Sequence, residues 1–282
     1  YEGFHSSGVA ITQKTATYSD IDTNGKPKGL IEIRIVENSN IASNGNVGTT
    51  VITRYSTGTV VETGDITPGL AIDKQTIKTT SFDLQGNALT QEIVKDYWKA
   101  ASGTTPAGFT FSEAQKITNV SFDIHGRTTE SIVKNYSDAL FNNFTDMQNI
   151  KTSAQSFDKF GNALLQTVDT YSTLTVDSTG FINRLSVSNH YLDDKTARKG
   201  NADLTIASKY TDILETNLIE KTTTTTSLFD DRGNAVDQVR LTEKKIPGGV
   251  TLAKESEAVI HNSIIDNRGD SGNQTIANYL YD

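Results

Sequence analysis

The sequence predicts an all-β chain, a repeat array of antiparallel β-hairpins forming a long twisted or spiralling sheet. Three observations carry this. A turn signature, apolar-Asp-x-x-Gly, recurs along the 282 residues. Most copies lead into a run rich in Thr, Val and Ile that closes on Tyr, which is strand chemistry. The turn glycines stand at 25, 45, 86, 126, 161, 180, 200, 233 and 269. Their spacing, about twenty residues or twice that, suits one hairpin of ordinary strands. Self-similarity at a fixed period marks a repeat architecture.

The clearest copies are SFDLQGNALTQEIVKDY (81–97), SFDIHGRTTESIVKNY (121–136) and SFDKFGNALLQTVDTY (156–171). Partial copies begin at Asp20, Gly45, Val176, Gly200, Leu228 and Ile264. Asp at the first turn position can accept bonds from the backbone that follows it, and Gly at the fourth supplies the positive φ of a bulged type I hairpin. The Asp residues so placed are Asp22, Asp83, Asp123, Asp158, Asp177, Asp230 and Asp266. Four residues before the closing Tyr stands Val51, Ile93, Ile132, Val187 or Ile206, with Thr167 and Thr275 breaking the rule, so the face is not uniformly apolar. A period of two puts this residue and the Tyr on one face, expected to be buried, with Thr, Lys, Glu and Asn on the wet one.

Residues 1–75 are the least regular. GLIEIRIVEN (29–38) alternates as a strand, 47–65 reads as a hairpin about Ser56–Gly58, and TPGL (67–70) reads as a turn. Clear repeats fill 76–282. The segment YSDALFNNFTDMQN (136–149) fits either a short helix capped by Ser137 or a loop. Second turns are expected at 103–108, 142–146 and 247–249. The run TTTTTS (222–227) reads as a two-sided strand. No Pro- or Gly-rich linker divides the chain, so 1–282 is expected to be a single continuous β-repeat array, a fragment of a longer chain.

Hydrophobic residues make up 35% of the chain, and Thr, Ser and Asn fill the difference. A thin core and a sheet with one wet face follow. Net charge of −8 argues against a nucleic-acid partner, which needs a basic stripe. There is no cysteine, hence no disulfide framework and no thiolate site. That favours a bacterial surface protein over a secreted eukaryotic domain. No apolar run reaches the ~18 residues of a membrane span.

Asp20, Asp22 and Asn24 place alternate oxygen side chains as in the first half of a calcium loop. Glu32 falls one position late for the bidentate ligand, Pro27 is unusual inside such a loop, and the hairpin turn explains the same residues. Calcium is therefore the one cofactor considered, against none. Arg268-Gly269-Asp270 is an integrin-type tripeptide whose Gly the repeat already requires. The sequons at Asn119, Asn135, Asn143 and Asn273 are expected by chance in so Asn- and Thr-rich a chain. His5, His125, His190 and His261 share no metal-ligand spacing. Trp98 and the ten tyrosines could line a glycan site, but Tyr recurs in the apolar strand register. No nucleophile elbow, P-loop or dinucleotide fingerprint is present. The recurring Asp is explained by the turn, so no catalytic residue is assigned and no enzyme is expected.

The FDxxGN…Y pattern resembles the tyrosine-aspartate (YD/RHS-type) repeats, and related Thr-rich repeats, of large bacterial surface proteins. Phe stands here in place of the family's Tyr, and only Gly126-Arg127 keeps its Gly-Arg pair. The resemblance implies successive hairpins in a spiralling sheet that builds a shell or rod, and it carries no catalytic residue. The function expected is a structural segment of a large bacterial extracellular surface protein: stalk, fibre or shell. Its partners would be neighbouring repeats or copies of itself. The alternatives are an adhesion or glycan-binding module and, behind it, a glycan-active enzyme.

Overall fold

The computed structural model describes residues 1–61, 64–230, 233–265 and 271–281. The chain is all-β, an array of antiparallel hairpins as the turn signature requires. Its contacts fall into two compact units, 1–119 with 133–145, and 120–132 with 146–282.

The first unit holds β1 (Glu2–Phe4), β2 (Ala10–Ile21), β3 (Pro27–Ile41), β4 (Val47–Tyr55), β5 (Gly58–Val60), β6 (Ile66–Pro68), β7 (Ala71–Phe82), β8 (Ala88–Lys99) and most of β9 (Gly108–Phe122). Apart from β5 and β6, each strand pairs antiparallel with the next in this series. The division between units falls inside β9, β10 (Thr128–Tyr136) and β11 (Phe144–Lys151). The second unit continues with β12 (Leu165–Tyr171), β13 (Phe181–His190), α1 (Asp194–Arg198), β14 (Leu204–Tyr210), β15 (Leu218–Phe229), β16 (Ala235–Lys245), β17 (Leu252–Ile265) and β18 (Ser271–Leu280). From β11 to β18 every strand again pairs antiparallel with its sequence neighbour.

Several local expectations are corrected. Residues 47–65 do not close on themselves: β4 pairs with β7, and β5 pairs with β6 as an inserted hairpin. Residues 67–70 are therefore the end of β6 and its exit. The insert covers Ile33, which is fully buried; a Cβ on Gly58 would overlap Ile33 Cδ1. Residues 136–149 hold a loop and then β11, so the turn lies before Phe144 rather than at 142–146. Gly180 lacks the positive φ of the other turn glycines and closes a Tyr-side loop. Gly200, at φ +71°, ends α1 instead of a hairpin. Sequence reasoning missed that helix although its signals are ordinary. Asp193 and Thr196 form a reciprocal capping box, basic residues close the last turn, and Gly follows.

The buried Tyr face is also corrected. Tyr171 is buried, whereas Tyr97 and Tyr279 are exposed, and Val51, Ile93, Ile132, Val187 and Ile206 are only half-buried. Along β8, β10 and β14 nearly every position, on both faces, is half-buried. Side chains there shield one another along cross-strand rows instead of packing under a second layer. Residues fully buried among those described are few: Ile33, Ala114, Val133, Met147, Tyr171, Ala197 and Ile260 are the apolar ones.

Candidate functional site

The recurring Asp sits at the bend. At Asp83 the N–H donates to Asn87 O (2.9 Å) and Gly86 N–H returns to Asp83 O (3.2 Å). The carboxylate then accepts from Gln85 N–H (2.9 Å) and Asn87 N–H (2.8 Å) on Oδ1, and from Asn87 Nδ2 (2.8 Å) on Oδ2. Asp158 repeats this with Phe160 and Asn162. At Asp123 the position after Gly is Arg127, whose Nε donates to Oδ2 (2.6 Å). Asp230 takes the same bonds from Asn234. The glycines stand at φ +88°, +75°, +93° and +97° for Gly86, Gly126, Gly161 and Gly233.

The residue after Gly has a second task that sequence reasoning missed. It reaches the next turn on the same end of the sheet. Arg127 Nη1 donates to Asp158 O (3.4 Å) and its guanidinium lies 4.3 Å from the Phe157 ring centroid. Asn162 Nδ2 donates to Ala197 O (2.6 Å). Asn201 lies where a Cβ on Gly233 would fall. The signal was present: Asn or Arg follows Gly in copy after copy.

A second turn type, also missed, closes the opposite ends of strands: YSDALFNN (136–143) and YTDILETN (210–217). Asp138 accepts from the N–H groups of Leu140, Asn142 and Asn143, and Asp212 from those of Leu214, Thr216 and Asn217. Phe141 and Glu215 occupy the left-handed region at φ +60°. Phe141 is held there edge-on to Tyr136 at 5.4 Å, with Lys116 Nζ over its ring, 4.6 Å from the centroid.

These bonds set the titration of the turns. Burial raises Asp83, Asp123 and Asp158, but bonds from Asn87, Arg127 and Asn162 and from turn N–H groups hold each below the ordinary carboxylate value. Bonds from Asn143 lower Asp138, and those from Thr216 lower Asp212. The hydroxyls of Thr175 and Thr179, with Gly180 N–H, take Asp177 down to about 2.

The most enclosed polar cluster lies on β11–β13. Asn149, Asp169 and Arg184 form one cross-strand row. Asp169 is 1% exposed and takes a bidentate clamp from Arg184, at 2.6 Å from Nε and 2.7 Å from Nη2. Arg184 Nη1 also donates to Ile213 O (2.6 Å) and faces Glu215 at 3.5 Å. The bond to Asp169 raises the Arg184 pKa, and burial followed by the Asp169 charge raises that of Tyr171. Asn149 Oδ1 and Tyr171 OH are buried with no partner among the described residues. Beside the cluster, Tyr171, Phe181, Val176 and Ile213 line a largely apolar cleft of about 390 Å³. Both Asp169 oxygens are occupied by Arg184, so this carboxylate ties β12 to β13 and, through Arg184, to the loop after β14. That is a clamp between strands.

The other predicted positions fall as follows. Asp20 is exposed on β2, paired in register with Lys28, and accepts from Ile21 N–H (2.8 Å). Asp22 Oδ1 accepts from the N–H groups of Asn24 and Lys26, both at 2.8 Å. Asn24 is at the exposed tip of the same turn. Asp22 therefore forms the bend as its homologues in the chain do. Asp266, Gly269 and the Arg268–Asp270 tripeptide lie outside the described residues. His190 and His261 pair with Asp203 and Asp237. Trp98 stacks edge-on with Phe109 at 5.0 Å. The amide of Asn119 donates to Ala88 O (2.8 Å).

No family model matches the chain, and no curated protein matches it. Among solved structures it is similar to a chain described as "Crystal Structure of TcdB2-TccC3-TEV", at 9% identity and a TM-score of 0.21, over 96% of this chain and 19% of that one. The chain thus spans about a fifth of the length of that solved chain. A TM-score that low defines neither a shared fold nor a shared role.

Proposed function

We propose that the chain is a scaffolding segment of a large bacterial extracellular surface protein, part of a stalk, fibre or shell, set among neighbouring repeats or copies of itself. It carries no reaction of its own in this reading, and needs no cofactor. The observation that supports it is the use of the recurring carboxylates. At Asp83, Asp123 and Asp158 both oxygens accept bonds from the turn's own residues, so the most regular feature of the sequence is spent on reversing the backbone. Strand pairing with sequence neighbours fits the same role, because an array of this kind is stabilised by each hairpin and its nearest neighbours.

Shortened chains test this. Chains ending after Lys245, and then after Tyr210, should remain folded, with stability and denaturant m-value falling stepwise. Complete unfolding on loss of the last hairpin would instead mark a globular domain and overturn the array. A glycan array is the second arm. Tight, selective binding lost on Phe181→Ala, with the fold retained, would assign the cleft beside Tyr171 a ligand and replace scaffolding by recognition.

A further inference from the structure

Two loops of the second unit stand side by side at one end of its strands. Residues 172–180 join β12 to β13, and residues 211–217 join β14 to β15. Strands β13 and β14 pair directly, with Arg184 opposite Tyr210, so the loops are neighbours. The cleft of about 390 Å³ lies between them, lined by Val176 and Asp177 from one loop, Asp212 and Ile213 from the other, and Tyr171 and Phe181 at the strand ends. That volume is within the ~300–1,000 Å³ of small-molecule sites. Val176 and Ile213 are both half in water, and the Phe181 ring stands edge-on to Tyr171 at 5.7 Å. Two carboxylates sit among these apolar groups. Asp177 accepts from Thr175, Thr179 and Gly180, and Asp212 from Leu214, Thr216 and Asn217. Every one of these donors is a neutral N–H or hydroxyl, so the bonds keep both groups ionised and leave their charge unbalanced. Close by, Asp169 and Glu215 share the guanidinium of Arg184. The surroundings of the cleft are therefore anionic. A separate mark is the Tyr171 hydroxyl. It is buried with no partner among the described residues, and it lies within reach of the charge of Asp177. A buried hydroxyl without a partner is costly, and a guest that donates to its oxygen removes that cost.

We propose that this cleft binds a small organic ammonium ion with an apolar body, of the arylalkylamine class. Charge and lining select this guest together. The apolar body lies against Val176, Ile213 and Phe181. The ammonium faces Asp177 and Asp212, where its N–H groups find acceptors and an unbalanced negative charge, and an aromatic face adds its own attraction for a cation. An anion is repelled by the same carboxylates, and a neutral guest of the same shape loses the charge contact. Asp169 takes no part, because Arg184 holds both of its oxygens. The site goes beyond the scaffolding role, which needs no ligand and which the shortened chains test whatever binds here.

Amide NMR shifts of the isotope-labelled full chain, titrated with phenethylamine near neutral pH, read the proposal. The ammonium should bind saturably, with shifts centred on residues 174–180 and 211–215. Phenethyl alcohol, of the same shape without the charge, should bind at least about tenfold more weakly, and hydrocinnamate should not bind. Raising salt from ~0.05 to ~0.5 M should weaken the ammonium and leave the alcohol unchanged, because only the charge contact is screened. Ile213→Lys puts a cation on the rim and should abolish ammonium binding at an unchanged melting temperature, because the side chain is exposed. Val176→Lys, on the facing loop, should repeat the loss. No saturable shift with phenethylamine, equal affinity for the alcohol, or ammonium binding that survives both Lys variants would each overturn the assignment. Selective seating of a neutral glycan by the same residues would do so too.

Discussion

A single atom type explains the repeat at the residue scale: the carboxylate oxygen of a turn Asp, held by the N–H groups it bends into reach. Glycine completes the turn for two reasons at once. At Gly233 the backbone is left-handed at φ +97°, and Asn201 from the preceding connection occupies the space of a Cβ. Left-handed strain alone is about 1–2 kcal/mol. Gly233→Ala should therefore destabilise by at least that in urea unfolding. Gly108→Ala should be close to neutral, since Gly108 has neither positive φ nor a neighbour within 4 Å of its Cβ. The clamp on β12 and β13 makes a sharper forecast. Arg184→Ala leaves Asp169 buried and unpaired, a loss of about 3–5 kcal/mol. The double variant Asp169→Leu, Arg184→Met should lose less than that single change, measured in the same way, because no charge is stranded.

Elements differ in how they are held. Most strands are stabilised by flanking strands alone, which is why so few residues are fully buried. In the first unit Ile33 is held differently, roofed by the β5–β6 insert. Ile33→Ala should cost about 2–5 kcal/mol, against well under that for exposed Ile21→Ala, and the difference should appear as a lower urea midpoint at unchanged m-value. Helix α1 stands where other copies place an Asp turn. Its capping box and terminal Gly were readable in DDKTARKG, but the repeat pattern drew attention to Gly200 as one more hairpin. The turns at Asp138 and Asp212 were readable too, once YSDALFNN and YTDILETN are set side by side. Neither contains the Gly that signals a positive φ; Phe141 and Glu215 adopt it instead, and tertiary contacts hold Phe141 there.

Across the whole chain, the turns act together on acid stability. Asp83, Asp123, Asp138, Asp158, Asp177, Asp193 and Asp212 all titrate below the ordinary carboxylate value when folded. The unfolded chain, with carboxylates near ~3.9, therefore binds more protons on acidification. The stability these groups contribute is complete above the unfolded value and is lost as pH falls through the folded ones, to about 2 for Asp177. Thermal melts should show a melting temperature that drops steeply over that window. A melting temperature independent of pH there would show that the turn carboxylates are not coupled to folding. Added calcium gives a second reading: with Asp22 Oδ1 held by two backbone N–H groups, the melt should not move between calcium and chelator.

The sequence by itself determined the strand-and-turn grammar, because a bulged hairpin needs only Asp, Gly and their immediate neighbours. It likewise set the order of the strands outside the β5–β6 insert, since short connections leave sequence neighbours as the nearest partners. Only the tertiary structure decided which turns touch through Arg127, Asn162 and Asn201, and that β4 passes over the β5–β6 insert to pair with β7. It alone placed the buried Asn149 and Asp169 in one row with Arg184 and left every tyrosine but Tyr171 partly or fully exposed to water. Those outcomes depend on register and on what lies across the sheet, and neither is encoded in the local spacing of residues.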